Sequence, residues 1–536
     1  MAPQTDTQTR PLLEETRLSP DRLETLSRRI EGDSTATITV RAPATDTAIG
    51  SIPTCTDADV ERAVSHARDA QLSWAETPVE ERSDVLERFG DLVLEHRGEL
   101  LDLLQLETGK SRQDAVEEVL DIPLTCSYYA NTGPSVLAAE RRRGALAPAT
   151  TARVTREPVG VVGVISPWNY PLTLSLTDAV PALIAGNTVV LKPDEKTPFT
   201  ALALAELLER AGLPEGVFEI VTGQGPVVGP ALIDRVDYVA FTGSTETGRA
   251  VAEQAGRNLI DCSLELGGKN PLVVLDDADV EQAARGAVQA CFTNAGQLCL
   301  AAERLYVDES VYDAFLDAFV GETRRLTLGT GFDFDADVGS LIGGDQLERV
   351  EAHVDDALES GASVLTGGRR RPDVGPFCYE PTILTDVDPD AAVACEETFG
   401  PVVSVEPVSD TEAAIAAAND SDYGLNASVW TGDRDRGVAV ARRIDCGTVC
   451  VNDGYISGWA AVDAPMGGIG DSGLGRRHGR AGIERYLEAK TIATSRIGPL
   501  DAPPGVPASW YARGMVGLTR LQRRLPSVSS LVGRLR

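Results

Sequence analysis

Cys291 and Cys299 stand eight residues apart in CFTNAGQLCLA, residues 291–301. A thiol does covalent chemistry only where it can be reached and where its thiolate is supported. Cys291 falls on the apolar side of a helical repeat with Ala287 and Val288, a core position. Cys299 follows Asn-Ala-Gly-Gln, where that helix should end, and a loop there can open onto a cleft. Cys262, Cys395, Cys446 and Cys450 have nothing beside them in sequence that would activate a sulfur. Glu265, in SLELGGKNP, precedes Cys299 by 34 residues. An acid among apolar neighbours has a raised pKa and suits a general base, although it also reads as a partly exposed carboxylate at a strand end. Asn169, in ISPWNYP (165–171), offers an amide donor to an oxyanion, together with the Cys299 backbone N–H. Taken alone, it is also an ordinary turn residue.

A second group of residues suits a dinucleotide. The loop Phe241-Thr242-Gly243-Ser244-Thr245-Glu246-Thr247-Gly248 joins a strand pattern to a helix pattern. Its glycines let backbone approach a phosphate, and the helix start supplies free N–H groups. The spacing is GxxxxG, so a tight turn fits it equally well. LKPDEKTP (191–198) ends another strand pattern. Lys192 can donate to ribose hydroxyls and Glu195 can accept from them, with Lys196 as a solvated neighbour.

These residues need elements to hold them. Residues 1–35 read as a loose lead-in, and 56–110 show helical periodicity. Strands then alternate with helices. VGVVGVI (159–165), TVVLKP, FEIVTG and YVAFTGS are strands; LTLSLTDAVPALIAG, TALALAELLERAG and ETGRAVAEQAG are helices. This pattern predicts a doubly wound α/β domain with a mostly parallel sheet. A second α/β series starts near 265: the strands NPLVVL and RLYVD flank the helix DVEQAARGAVQACFTNAG, and the helices VYDAFLDAFVGETRRL and QLERVEAHVDDALESGA follow. A chain of 536 residues exceeds one ordinary core.

Composition narrows the function. No apolar run is long enough for a membrane span, and the polar N-terminus lacks a secretory h-region. Nine scattered cysteines, four histidines and no CxxC spacing fit free thiols in a reducing cytoplasm, with no metal site. The net charge of −32 argues against nucleic acid as a partner. Only five of the 49 basic residues are lysine, so each lysine is informative. An acidic, lysine-poor chain suits a salt-rich, halophilic cytoplasm, where screening relieves self-repulsion. Residues 502–536 run the other way, with six arginines and no acid. They read as a solvated end, or as an amphipathic patch against a partner subunit or an anionic surface.

SPWNYP, LKPDEKTP, FTGSTETG, LELGGKNP, NAGQLC, EETFGPV and PMGGIGDSGLGRRHG occur in an order that resembles the aldehyde dehydrogenase superfamily over roughly residues 35–500. ISPWNYPLTLSLTDAVPAL, NDSDYGLNASVW and NDGY are similar to its actinobacterial-type succinate-semialdehyde dehydrogenases. The resemblance implies Cys299 as nucleophile, Glu265 as base and Asn169 as oxyanion donor. It also implies cofactor contacts from Ile165, Ser166, Pro167, Trp168, Lys192, Glu195, Gly225, Gly243, Ser244, Glu397 and Phe399. The implied fold is a dinucleotide-binding domain (35–139 and 157–264), a catalytic domain (265–465) and a small bridging β-element (140–156 and 483–496). These lie between the lead-in (1–34) and the basic tail (502–536), and the implied assembly is a homodimer or homotetramer. The implied reaction takes an aldehyde to its acid through a thiohemiacetal and a thioester, with NAD or NADP. A carboxylate at Glu195 repels a 2′-phosphate, which favours NAD.

Three departures stand out. Gly470 replaces a frequent lysine, Met466 a phenylalanine, and Arg477 a second proton-relay carboxylate. Arginines that hold a substrate carboxylate in better-known succinate-semialdehyde enzymes are replaced by Thr177 and Thr293, leaving Arg304, Arg476 or Arg477 as substitutes. A coenzyme-A-acylating relative fits less well, because such enzymes lack the glutamate at 265. A catalytically retired binding protein fits least, because nucleophile, base and donor are all present.

Overall fold

The structure, a computed structural model, describes residues 9–30, 32, 35–142, 150–496, 498 and 500–524 of the 536. The chain divides into two units, residues 1–137 with 157–488, and residues 138–156 with 489–536.

Two parallel sheets organise the first unit. One has the strand order 473–474, 261–265, 238–242, 161–165, 188–192, 218–220. All its pairings are parallel except the antiparallel edge strand Gly473–Leu474. Val161–Ile165, Thr188–Lys192 and Tyr238–Thr242 are buried at every residue. They are continuous apolar runs because helices cover both faces of the sheet. In the register, Ile165 lies opposite Lys192 and Phe241, Thr242 opposite Glu265, and Glu265 opposite Gly473. The loops that leave the carboxyl ends of these strands therefore share one edge of the sheet, where such folds bind ligands. The other sheet has the order 363–366, 382–385, 402–408, 302–308, 270–274, 426–430, 448–451, with only Ser363–Thr366 antiparallel.

Three expected elements differ. The lead-in is helical and packed over its described residues, not loose. Ser19 caps the helix Pro20–Ser27, Leu23 and Leu26 are buried, and Arg22 bonds Glu99 and Glu206. The run LTLSLTDAVPALIAG forms two short helices, Pro171–Leu176 and Ala179–Ile184. Pro181 has no N–H for the Thr177 carbonyl four residues back, so the helix breaks there. The helix expected to run through Gly296 ends at Phe292. Asn294, Ala295 and Gly296 then have φ of 53°, 54° and 71°, a left-handed run that no α-helix accommodates.

The second unit contains the strands Glu140–Arg142 and Thr150–Pro158 beside Leu487–Ser495, and the helix Ala508–Arg524. Much of the basic tail is thus helical, and residues 525–536 lie outside the described residues. Among the described residues no helix is long and apolar enough to cross a membrane, and no group of three metal-binding side chains occurs.

Candidate active site

Pro167, Trp168, Asn169, Gly243, Ser244, Glu265, Cys299, Glu397 and Phe399, drawn from five separate stretches of sequence, line one cleft of about 200 Å³. Cys299 is partly exposed there, whereas Cys291 is buried in the helix Val280–Phe292. Burial and the charge of Glu397 push the Cys299 thiol up to about 12, against the pull of Arg477. A thiol so placed needs a proton acceptor within the cleft.

Glu265 meets that need. It is 6% exposed, which removes the reading of a carboxylate in solvent, and its Oε1 has no hydrogen-bond partner. Burial pushes the carboxyl up to about 7; Asp178 adds to the shift, while Arg477, Arg485 and Arg476 oppose it. Gly467 sits beside Glu265 at φ +149°, and a Cβ there would lie 3.0 Å from Oε1. That close approach requires glycine.

Three sets of buried contacts fix the loops. Asn169 Nδ2 donates to the Gln297 carbonyl at 3.0 Å, and its own carbonyl accepts from Lys110 Nζ at 2.8 Å and Asn294 Nδ2 at 3.1 Å. Lys110 also pairs with Glu118, which accepts from the N–H groups of Leu172 and Thr173. The second amide proton of Asn169 remains for the cleft. A Cβ on Gly296 would lie 2.1 Å from the Gly400 carbonyl, so the left-handed turn before Cys299 rests directly on that backbone. Lys269 pairs with Glu303, which accepts from the N–H groups of Thr398 and Phe399; Glu397 Oε1 accepts from Gly268 N–H at 2.8 Å. Phe399, itself at φ 55°, meets Trp168 edge to face at 5.5 Å. Lys110 and Lys269 are buried in ion pairs, and Lys192 is 3% exposed; these are three of the five lysines.

Not every expected residue reaches the cleft wall. Ile165 is buried at its strand end, and Ser166 is tied to the Lys192 carbonyl and the Ser175 hydroxyl. Lys192, Glu195 and Gly225 gather at the end of Thr188–Lys192. Lys192 Nζ is 3.1 Å from Glu195 Oε2, and 4.0 Å from where a Gly225 Cβ would stand. Gln346 and Arg349, which the sequence did not single out, also line the cleft; Gln346 holds the Thr398 and Phe399 carbonyls. Their only signal was a place on the amphipathic helix Gly344–Glu359.

These residues fit a dinucleotide. Ser244 caps the helix Thr245–Asn258 through Thr247 N–H, leaving first-turn N–H groups without helical partners. A Cβ on Gly243 would lie 2.5 Å from the Phe241 ring, so the loop stays low and open.

The substitutes for a carboxylate-binding arginine are committed elsewhere. Arg304 is buried and donates to the carbonyls of Lys269, Ala417, Ala418 and Asp420. Arg477 is buried against Asp178 at 2.8 Å and also donates to Thr242 Oγ1 at 3.0 Å. Arg476 donates to the carbonyls of Gly468 and Gly475.

Known proteins are similar to this chain over most of its length. A protein of Mycobacterium tuberculosis named "Putative succinate-semialdehyde dehydrogenase", of the NADP(+) type, is 49% identical over 94% of this chain and 98% of its own. A glutarate-semialdehyde dehydrogenase of Pseudomonas aeruginosa is 39% identical over 87% of this chain and 96% of its own. Among solved structures, betaine aldehyde dehydrogenase from Staphylococcus aureus, in complex with NAD+, superposes with a TM-score of 0.84 at 35% identity, covering 90% of this chain and 98% of that one. An E. coli NADP-dependent enzyme gives 0.84 at 38% identity, over 88% and 99%. The signature of the "Aldehyde dehydrogenase family" matches residues 30–492, and the chain belongs to that family.

Proposed function

We propose that the protein oxidises an aldehyde to its carboxylic acid with NAD(P), using Cys299 as nucleophile, Glu265 as general base and Asn169 as oxyanion donor. The convergence of these three side chains on one cleft supports the reading. The buried Glu265 carboxylate takes the thiol proton, and the sulfur bonds to the carbonyl carbon. Asn169 Nδ2–H and the Cys299 N–H donate to the resulting oxyanion. A bound oxidised nicotinamide cofactor would supply the hydride acceptor for this step. Cys299 then carries the acyl group as a thioester. Once it has passed the thiol proton to solvent, Glu265 takes a proton from the water that cleaves the thioester and returns it to the departing sulfur, releasing the acid and the free thiol.

The cofactor would rest on the 241–248 loop, with Lys192 and Glu195 at the adenosine ribose and Glu397 and Phe399 at the nicotinamide end. The mycobacterial and Pseudomonas relatives suggest ω-semialdehydes as one substrate class. Acid should form stoichiometrically with reduced cofactor in the absence of coenzyme A. A strict requirement for coenzyme A would replace hydrolysis with acyl transfer.

We read the chain further as a cytoplasmic homo-oligomer working at high salt. Raising KCl should raise its Tm, and a fall would refute the salt adaptation. Light scattering giving the 56.8 kDa mass of one chain would refute the oligomer.

A further inference from the structure

A carboxylate can act as a base only while it is ionised, and burial opposes that form. Glu265 has little direct help: its Oε1 accepts no hydrogen bond, and the residue packed against that oxygen, Gly467, has no side chain to offer one. Compensation has to come from charge held nearby. The structure places a buried set of ions there. Arg477 and Asp178 are each 2% exposed. Arg477 donates through Nη2 to Asp178 Oδ2 at 2.8 Å and through Nε to Oδ1 at 3.2 Å, and Arg485 donates to the same Oδ1. Burial works against the Asp178 charge, yet the two arginines hold its carboxyl below the usual range. Two guanidinium groups against one carboxylate leave the set with a net positive charge.

Two further contacts tie this charge to the base. Arg477 Nη2 also donates to Thr242 Oγ1 at 3.0 Å. Thr242 lines the cleft and stands opposite Glu265 in the parallel register. The Arg477 backbone exchanges two hydrogen bonds with Met466, at 2.8 and 2.6 Å, which fixes the following Gly467 against Glu265 Oε1. A guanidinium does not give up its proton in a protein, so Arg477 can supply charge but cannot take the proton itself. The other groups acting here are Arg476, Arg485, the Cys299 thiol and, on that thiol, Glu397. His478 is neutral, because burial and Arg477 push its imidazole down to about 3.

We propose that Arg477 is a positioning residue for the reaction: locked by Asp178 and Thr242, it presents the fixed positive charge that keeps Glu265 ionised as a base and favours the Cys299 thiolate. The proposal rests on the reading of Glu265 as base and adds the group that sets its working range.

The test is the pH profile of kcat/KM for succinate semialdehyde with NAD. Arg477 and Asp178 act on Glu265 with opposite sign, so their variants should part. Arg477→Met removes the positive charge and should move the acid limb up by about one unit, a loss of about tenfold at any pH below it. Arg477→Lys keeps the charge and should leave the limb close to wild type. Asp178→Asn removes the negative charge and should move the limb down by about one unit. A second readout needs no turnover. Alkylation of Cys299 by iodoacetamide at pH 8, followed by peptide mass spectrometry, should slow in Arg477→Met and quicken in Asp178→Asn. If Arg477→Met does not fold, Asp178→Asn and Arg477→Lys carry the test alone. A limb that stays in place in Asp178→Asn, or that moves the same way in Arg477→Met and Asp178→Asn, would overturn the proposal and leave both residues as structural. Glu265→Gln separates the two readings: if it keeps the limb, Glu265 is not the base; if it loses the limb while the charge variants leave it unmoved, only the role of Arg477 fails.

Discussion

Cys299 faces a cleft built mainly from backbone and borders a cluster built mainly from side chains. The cleft is set by strand ends, by the left-handed turn 294–296 against Gly400, and by Gly243 and Gly467 where no Cβ fits. The cluster gathers Tyr170, Leu174, Leu298, Leu300, Tyr455 and Met466, and at its acidic margin Glu117 and Asp121 of the helix Arg112–Leu137 accept from Tyr455 and Trp459. Backbone tolerances constrain a cleft wall strongly, because one added methyl collides with a carbonyl. A wall of side chains can change its charge at one or two residues without moving the chain. The cleft can therefore keep its shape while the side chains of the cluster vary.

The largest expected effect separates the two cysteines. Cys299→Ser should lower kcat at least ~10⁴-fold, because serine at this site is far less acidic than the thiol it replaces. Cys291→Ser, in the core of the second sheet, should instead lower Tm and leave kcat close to wild type. Steady-state rates and thermal melts of both variants test the assignment. Similar kcat losses in the two would mean that the cleft does not hold the nucleophile.

Glu265→Gln comes next, with a loss of about 10²- to 10⁴-fold. Its pH profile carries more information than its size. Burial raises the Glu265 carboxyl to about 7, so the base is protonated and inactive below that pH. Wild-type kcat/KM should fall as pH drops through about 7, and Glu265→Gln should lose that limb. The sign for stability is opposite. The folded state holds the Glu265 proton more tightly than the unfolded chain does, so this group's stabilising contribution is present at acid pH and lost as pH rises through about 7. Rate and stability should thus move in opposite directions over the same interval.

How much of this was readable in the chain follows the same division. Cys299, Glu265 and Asn169 sit in contiguous motifs whose glycines and prolines announce a turn, and both parallel sheets show as buried apolar runs. The left-handed stretch was hidden because Asn294 and Ala295 carry side chains; only Gly296 hints at it. The break between Leu176 and Ala179 was hidden because apolar periodicity outweighed Pro181. Glu117 and Asp121 were unreadable for another reason. On an amphipathic helix they look like solvated charges, and their partners Tyr455 and Trp459 lie 338 residues further along the chain. Periodicity carries no information about contacts at that separation.

The smallest expected effect concerns the cofactor end, where one side chain decorates a backbone-built site. Glu195, half-exposed and 3.1 Å from Lys192, places a carboxylate where the resemblance puts the adenosine ribose. Its charge disfavours a 2′-phosphate and its oxygens accept from ribose hydroxyls, so NAD should be preferred. Glu195→Ser removes both effects and frees the Lys192 ammonium, shifting the NADP-to-NAD ratio of kcat/KM upward about tenfold. Because the pair is partly open to solvent, the shift should shrink with salt, as the screening length falls to ~3 Å at 1 M. A ratio that ignores both the substitution and KCl would mean that the backbone of this site, rather than Glu195, discriminates between the two cofactors.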